Sequence, residues 1–196
     1  MSKGTATRDR ILGQALSDAS LSGLEGLSLG QLAGEVGMSK SGLFAHFGSK
    51  EELQKQVLGA AADLFGRIVV KPALTAPRGL PRVRAMFEGW LRWERSEHVP
   101  GGCVFTHAAA ELDDKPGPVR DALASWQRQW KEMLARAVSI AVEEKHFKKG
   151  LNTQQFAFQM FGIVFAYYHS KRLLNEPNAE AQARAAFESL VEWASH

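Results

Sequence analysis

The residues best suited to hold an anion lie between positions 28 and 50. Ser39, Lys40, Ser41 and Gly42 follow one another, His46 comes four residues after Gly42, and Lys50 four after His46. Hydroxyls, ammonium groups, an imidazole and a glycine that admits a neighbouring backbone suit phosphate oxygens and base edges. Gln31 and Phe44 belong to the same stretch. A second set could do covalent or metal chemistry: Cys103 and His107 are four apart and so share a helical face. Two ligands do not complete a metal site. A nucleophilic pair needs an orienting partner and an oxyanion site, and neither is evident. No catalytic residue, metal or cofactor is therefore expected. Cys103 follows Gly101-Gly102 near a helix start, where a thiol pKa can fall. Thiol sensing is thus a minor alternative to a buried or pocket-lining cysteine. Glu111, Asp113 and Asp114 suggest a cation site, but a solvated loop at a helix C-terminus explains them more simply.

Short helices must position the anion-binding set. Leu32, Ala33 and Val36 fall three and four apart, and Leu43 and Phe47 four apart across the next segment. The spacing predicts helices over 29–36 and 40–47, joined by a tight turn at Gly37-Met38-Ser39. Two short amphipathic helices with a glycine turn make a helix-turn-helix, whose second helix normally enters the major groove of DNA. Ser28 with Gln31, and Ser49 with Glu52, have capping-box spacing. Ser39 is placed to cap the second helix, to contact DNA, or both. Lys50 opens the next helix, where a cation opposes the helix dipole; a nearby phosphate would make that placement favourable.

The rest of the chain also reads as helical. A first helix is expected from Thr7, as cap, to Ser20, with Ile11, Leu12, Ala15, Leu16 and Ala19 as its apolar stripe. The fourth helix carries Leu53, Val57, Ala60, Ala61, Leu64, Phe65 and Ile68 until Pro72 stops it. Residues 72–80 read as a junction. Further helices follow to about 97, over 103–112, from Pro118 to about 146, over 152–174 and over 179–194. The helix from 152 is apolar on two faces. Phe156, Met160, Val164 and Tyr167 mark one, and Phe158, Phe161, Phe165 and Tyr168 the other. The second face needs a further helix, a ligand cavity or a second subunit to cover it. A four-helix bundle made of the last two helices of two chains would do so.

The 196 residues, 45% hydrophobic and 23% charged, suffice for a sizeable core. No apolar run is long enough to span a membrane, and the polar N-terminus is not followed by an apolar signal segment. One cysteine excludes an intrachain disulfide and fits a reducing cytoplasm. The net charge of +3 favours a polyanion only weakly. In residues 1–55, six basic and six acidic side chains cancel. DNA binding must therefore rest on placed cations and helix N-termini.

The stretch LSLGQLAGEVGMSKSGLFAHFGSKEEL resembles the signature of the tetracycline-repressor (TetR) family of bacterial one-component regulators. The match covers roughly residues 7–55. It is carried by the run Val36 to Phe44, His46-Phe47 and Ser49-Lys50-Glu51-Glu52-Leu53. Three positions depart from the common pattern. Gly30 stands where many members carry arginine or another polar side chain, Phe44 stands where tyrosine is common, and Ala45 offers at most a methyl group to a thymine. GGCVFTHAAAELDDKPGPVRDAL resembles one subgroup of such regulators.

The resemblance implies an all-α fold of about nine helices. It implies an N-terminal three-helix helix-turn-helix domain over 1–53, and a helical effector-binding and dimerisation domain over 72–196. The fourth helix, 50–71, would link them. It further implies a cytoplasmic, nucleoid-associated regulator, most often a repressor. Such a protein binds a pseudo-palindromic operator as a homodimer through its last two helices, and a small molecule releases it. Gln31, Ser39, Lys40, Ser41, Gly42, Phe44, His46 and Lys50 are the candidate DNA-binding residues. Phe87, Trp90, Cys103, His107, Trp126, Trp130, Phe161, Phe165 and Tyr168 are the candidate effector-pocket residues. An aromatic stripe at helical spacing is otherwise core, so Trp126 and Trp130 keep that reading beside it. A helical interaction module that no longer binds DNA, and a small enzyme using Cys103 and His107, are the alternatives from other classes.

Overall fold

The computed structural model describes residues 3–196. Met1, Ser2 and the Lys3 side chain, which belong to the polar N-terminus and charge balance above, lie outside the described residues. The chain is helical and, among the described residues, contains no strand. The elements are α1 Lys3–Ser22, α2 Leu29–Glu35, α3 Lys40–Phe47, α4 Lys50–Phe65, α5 Lys71–Thr75, α6 Leu80–Trp93, α7 Val104–Leu112, α8 Pro118–Glu143, α9 Thr153–Arg172 and α10 Ala179–Ser195. A π-helical segment, Gly66–Val70, joins α4 to α5 without a break, so the chain is helical from 50 to 75. With that run counted once, the described residues form nine helices.

Several boundaries differ from the sequence-based expectation: α6 ends at Trp93 and α8 at Glu143, short of about 97 and 146, and two further differences have a local cause. α1 begins at Lys3, so Thr7 lies inside the helix instead of capping it. No proline interrupts residues 3–7, and one glycine is tolerated there. Pro72 does not stop the fourth helix; it sits in the first turn of α5. A proline inside an α-helix lacks one N–H and its ring strikes the carbonyl four residues earlier. The wider π turn just before Pro72 changes that register and lets the chain stay helical to Thr75.

By proximity the chain forms two compact units: residues up to Phe65 with Arg95–Trp126, and Gly66–Glu94 with Gln127–His196. In the first, α1 packs on α2, α4 and α7. Its core includes Ile11, Ala15, Leu16, Leu32, Val36, Leu43, Phe47, Leu53 and Val57. These are the helical stripes expected of the first four helices, now facing one another. Cys103, at the N-cap position of α7, joins the buried set.

In the second unit, α6 lies against the π segment, and α9 packs on α10. Gly89 allows the first contact: a Cβ there would lie 3.1 Å from the Val69 backbone. Phe87 on α6 and Phe187 on α10 stack face to face, with centroids 4.0 Å apart and planes 5° from parallel. Two crossed ion pairs flank the stack, Arg84 with Glu188 and Arg184 with Glu88. No helix among the described residues is long and apolar enough to cross a membrane.

Candidate nucleic-acid interface

The helix-turn-helix is built by local rules that the sequence announces. The Ser28 hydroxyl accepts from the Gln31 N–H at 3.4 Å and starts α2. α2 ends in a Schellman arrangement: the Met38 N–H donates to the Ala33 carbonyl at 2.8 Å, and that of Gly37 to the Gly34 carbonyl at 3.2 Å. Gly37 has φ +68°, a conformation that a side chain would strain. The Ser39 hydroxyl accepts from the Gly42 N–H at 3.1 Å and starts α3. Ser49 accepts from the Glu52 N–H at 3.0 Å and starts α4. Neither capping box closes reciprocally. The Gln31 side chain donates to Glu35 at 2.9 Å, and the Glu52 carboxylate pairs with Lys55 at 2.7 Å.

α3 therefore shows two distinct faces. Leu43 and Phe47 are buried, while Lys40, Ser41, Phe44 and Ala45 are exposed. Phe44 is 52% exposed. Ser39 is exposed despite its cap bond, and its oxygen lies 3.2 Å from that of Ser41. Gly42 and His46 are half-buried, and Gln31 is exposed. A Cβ at position 42 would lie 3.1 Å from the Ser39 hydroxyl. Gly42 thus keeps the cap uncrowded, a local reason for glycine besides close approach to DNA. Lys50 is exposed, but its ammonium already donates to the Glu25 carbonyl at 2.6 Å.

Side chains behind the reading face tie it to the rest of its unit, and sequence reading assigned them no role. Arg10 donates to the Val36 carbonyl at 3.0 Å, at the C-terminal end of α2, where the helix dipole favours a cation. The Arg8 guanidinium lies 5.4 Å from the Phe47 ring centroid and donates to Gln56 at 2.6 Å. Gln14 donates to Asp18 at 2.9 Å and to Glu35 at 3.3 Å. Burial, followed by a hydrogen bond to Glu35, pushes the Asp18 carboxyl up to about 6. Hydrogen bonds from Gln31 and then from Asp18 hold Glu35 below the usual carboxylate range. Below about pH 6 the proton of this pair is therefore held on Asp18.

A carboxyl whose folded pKa is raised favours the folded state while protonated and loses that benefit as pH rises through the folded pKa. Stability should fall from about pH 4 to about pH 6 for the wild type and level off above that. Asp18→Asn, which keeps a donor toward Glu35, should flatten that fall and raise the melting temperature at pH 7 by about 2 °C. Equal pH profiles in thermal melts of the two proteins would refute this.

The effector-pocket candidates divide between the two units. In the second, Trp90 meets Trp130 edge-on at 5.5 Å and Phe161 at 4.8 Å, and Phe161 lies 6.0 Å from Phe165. Tyr168, half-buried, follows on the same helix. Phe87 stands apart from this chain of rings in its stack with Phe187. Cys103, His107 and Trp126 lie in the first unit: Cys103 buried, His107 half-buried, Trp126 37% exposed. Among the described residues no three His, Cys, Asp or Glu side chains are gathered as a metal would need.

α9 behaves as its two apolar faces require. Phe156, Met160, Val164 and Tyr167 are buried, whereas Phe158 is 62% exposed and Phe165 is also exposed. A groove of about 630 Å³ runs along α9 and α10, lined by Gly162, Ala166, Ala183, Ala186, Leu190 and Trp193 among others. Glu111 departs from the solvated-loop reading. It is half-buried, and its carboxylate accepts from the Leu24 N–H at 2.9 Å, 87 positions away. No spacing rule could have found that contact.

A capped helix-turn-helix with an exposed recognition face, followed by several further helices, defines a helical DNA-binding regulator. The chain belongs to the tetR family of bacterial regulatory proteins. The model of that family's N-terminal domain matches residues 11–57, and the tetracyclin repressor-like C-terminal domain matches residues 79–187. It is accordingly a transcriptional regulator, not an enzyme. None of the curated protein sequences matches it.

Solved structures share the fold. A TetR transcriptional regulator from Chloroflexus aurantiacus J-10-FL is 21% identical, with a TM-score of 0.86 over 98% of this chain and 96% of that one. AibR, solved with isovaleryl coenzyme A and operator DNA, is 23% identical, with a TM-score of 0.73 over 94% and 98%. The ketosteroid transcriptional regulator KstR2 of Mycobacterium tuberculosis is 16% identical, with a TM-score of 0.69 over 96% and 95%.

Proposed function

We propose that this regulator is a homodimeric repressor that binds a pseudo-palindromic operator and is released by a small, largely apolar effector. The observation that carries the reading is the two-faced α3. Leu43 and Phe47 anchor it, and Ser39, Lys40, Ser41 and Phe44 stand exposed at its start and outer side. Helix N-termini and cations together suit phosphate, and residues at the start of a recognition helix reach base edges. Gln31, Gly42, His46 and Lys50 complete the proposed contact set. The reading part is 1–53 and the effector part 72–196, joined through helix 50–71.

The α9–α10 groove supports the homodimer. Its alanines and glycine permit close helix packing, and a second copy would cover Trp193, now 44% exposed. Ala186→Arg places a long cation in that groove and should weaken self-association at least tenfold. Unchanged elution in gel filtration across a dilution series would argue against this interface.

The rings of Trp90, Trp130, Phe161 and Phe165, with Tyr168 as a polar handle, support an apolar effector. Cys103, His107, Trp126 and Phe87 are the further candidates. KstR2's ketosteroid designation fits that chemistry in that protein, and of the isovaleryl coenzyme A solved with AibR only the isovaleryl group does. By linkage, operator DNA weakens the effector's binding by the factor with which the effector weakens the operator's. Two recognition helices reading two half-sites require a separation of about one helical turn or a multiple. The reading places the protein in the cytoplasm, with the nucleoid.

Titrating purified protein with genomic DNA fragments at about 50 to 200 mM salt tests the reading. Sequence-preferring binding that weakens linearly on a log–log salt scale is expected. Absence of such binding would overturn it.

A further inference from the structure

The turn between α1 and α2 lacks regular structure, so its polar backbone groups need partners from elsewhere. Three side chains supply them. The Leu24 and Glu25 N–H groups both donate to Glu111 Oε2, at 2.9 and 3.4 Å. The Leu24 carbonyl accepts from Gln54 Nε2 at 2.8 Å, and the Glu25 carbonyl from Lys50 Nζ at 2.6 Å. The Glu25 carboxylate pairs with Lys115 at 2.5 Å. Gly23, with φ +81°, leaves room for this: a Cβ there would fall 1.6 Å from Glu111 Oε1. The Glu111 carboxylate therefore lies directly on the glycine that ends α1. Just ahead of α7, the Gly101 N–H donates to the buried Ser20 hydroxyl at 2.9 Å, and a Cβ on Gly101 would lie 1.6 Å from the Ser20 carbonyl oxygen.

Glu25 is thus held at all three of its polar groups: the N–H by Glu111, the carboxylate by Lys115, the carbonyl by Lys50. The last contact also works in reverse. A lysine ammonium has three donors. One bond to a fixed carbonyl sets where the charge sits and leaves two donors for an incoming oxygen. Lys50 is exposed on its outer side, so a fixed Glu25 carbonyl pre-organises it.

We propose that Glu111 is a positioning residue for DNA binding. It acts through the 23–25 turn, whose Glu25 carbonyl holds Lys50 where a DNA phosphate is met. The inference rests on the proposed phosphate contact of Lys50, and it gives α7 a direct hold on the reading unit.

The test is a double-mutant cycle with Glu111→Ala and Lys50→Ala, read by DNA affinity, salt slope and amide exchange. Glu111→Ala should weaken DNA binding about tenfold and lower the salt slope by about one phosphate contact. In a Lys50→Ala background it should cost less than about threefold more, because the two act on one contact. Glu111→Gln, whose side-chain carbonyl still accepts from the Leu24 N–H, should recover most of the affinity. Exchange at the Leu24 and Glu25 amides should speed up in Glu111→Ala. Should that variant fail to fold, Lys115→Ala, which releases the same turn from its other side, takes its place in the cycle.

Losses that add fully, or an unchanged salt slope, would overturn the positioning role while leaving the DNA-binding reading intact. Unchanged amide exchange would overturn the hold on the turn by itself. Wild-type protein that binds no DNA would overturn the DNA-binding reading and this role with it.

Discussion

Phe187→Ala lowers the unfolding free energy by about 3–5 kcal/mol, the usual range for truncating a buried aromatic. Phe187 is 2% exposed and lies flat on Phe87 at 4.0 Å. The substitution removes a ring from a closed site, so both the lost burial and the residual cavity count. The adjoining Arg84–Glu188 and Arg184–Glu88 pairs hold α6 on α10 from either side and resist collapse into the space. Hydrogen bonds to Glu88 and then Glu180 hold the Arg184 guanidinium well above its ordinary value. These pairs are about half exposed and therefore partly screened, so they contribute less than the stack. Phe187→Leu, which refills most of the volume, should lose less than half as much. Denaturant midpoints with an unchanged slope, taken at one protein concentration, decide the matter. A loss under about 1 kcal/mol for Phe187→Ala would show that the stack is not a keystone of this unit.

The double substitution Lys40→Ala with Lys50→Ala weakens DNA binding about a hundredfold, taking roughly 1.4 kcal/mol for each charge-assisted phosphate contact. The salt slope should fall by about two contacts, because each neutralised phosphate contributes near 0.9 to it. Sequence preference should change little, since phosphate contacts position a protein without reading bases. Lys40 is exposed, and Lys50 has one internal bond, to the Glu25 carbonyl. The melting temperature should therefore move by no more than a few degrees. Binding curves at three salt concentrations, with a melt for each protein, separate lost contacts from lost fold. Unchanged affinity in the double variant would remove both lysines from the interface.

The two lysines differ in how far the sequence alone describes them. Lys40 sits where Ser39 and the glycine turn place it, and every feature that positions it lies within a few residues. Lys50 opens α4 as its cap spacing requires, but its ammonium is set by a carbonyl 25 positions away. The same contrast runs through the molecule. Leu32, Val36, Leu43 and Phe47 were legible as core because helical periodicity is a local property, and all four are buried. Ser28, Ser39 and Ser49 were legible as helix starts because a cap bonds an N–H only two or three positions on. All three accept such a bond.

Pro72 marks one limit of that reading. It breaks an ideal α-helix, yet the π turn before it lets the helix continue, and no residue type announces a π turn. Glu111 marks another. Read beside Asp113 and Asp114 it was one acid of a solvated loop, and only the fold brings it onto Gly23 and the Leu24 N–H.

By itself the sequence determined the helices, most of their ends, the helix-turn-helix and the family, because each rests on neighbours along the chain. Tertiary structure alone decided which distant groups close the α1–α2 turn, how α6 is clamped to α10, and which face of α9 is left uncovered. Those contacts join residues 25 to 104 positions apart, and a polar side chain finds its partner by proximity in the fold, which no local spacing encodes.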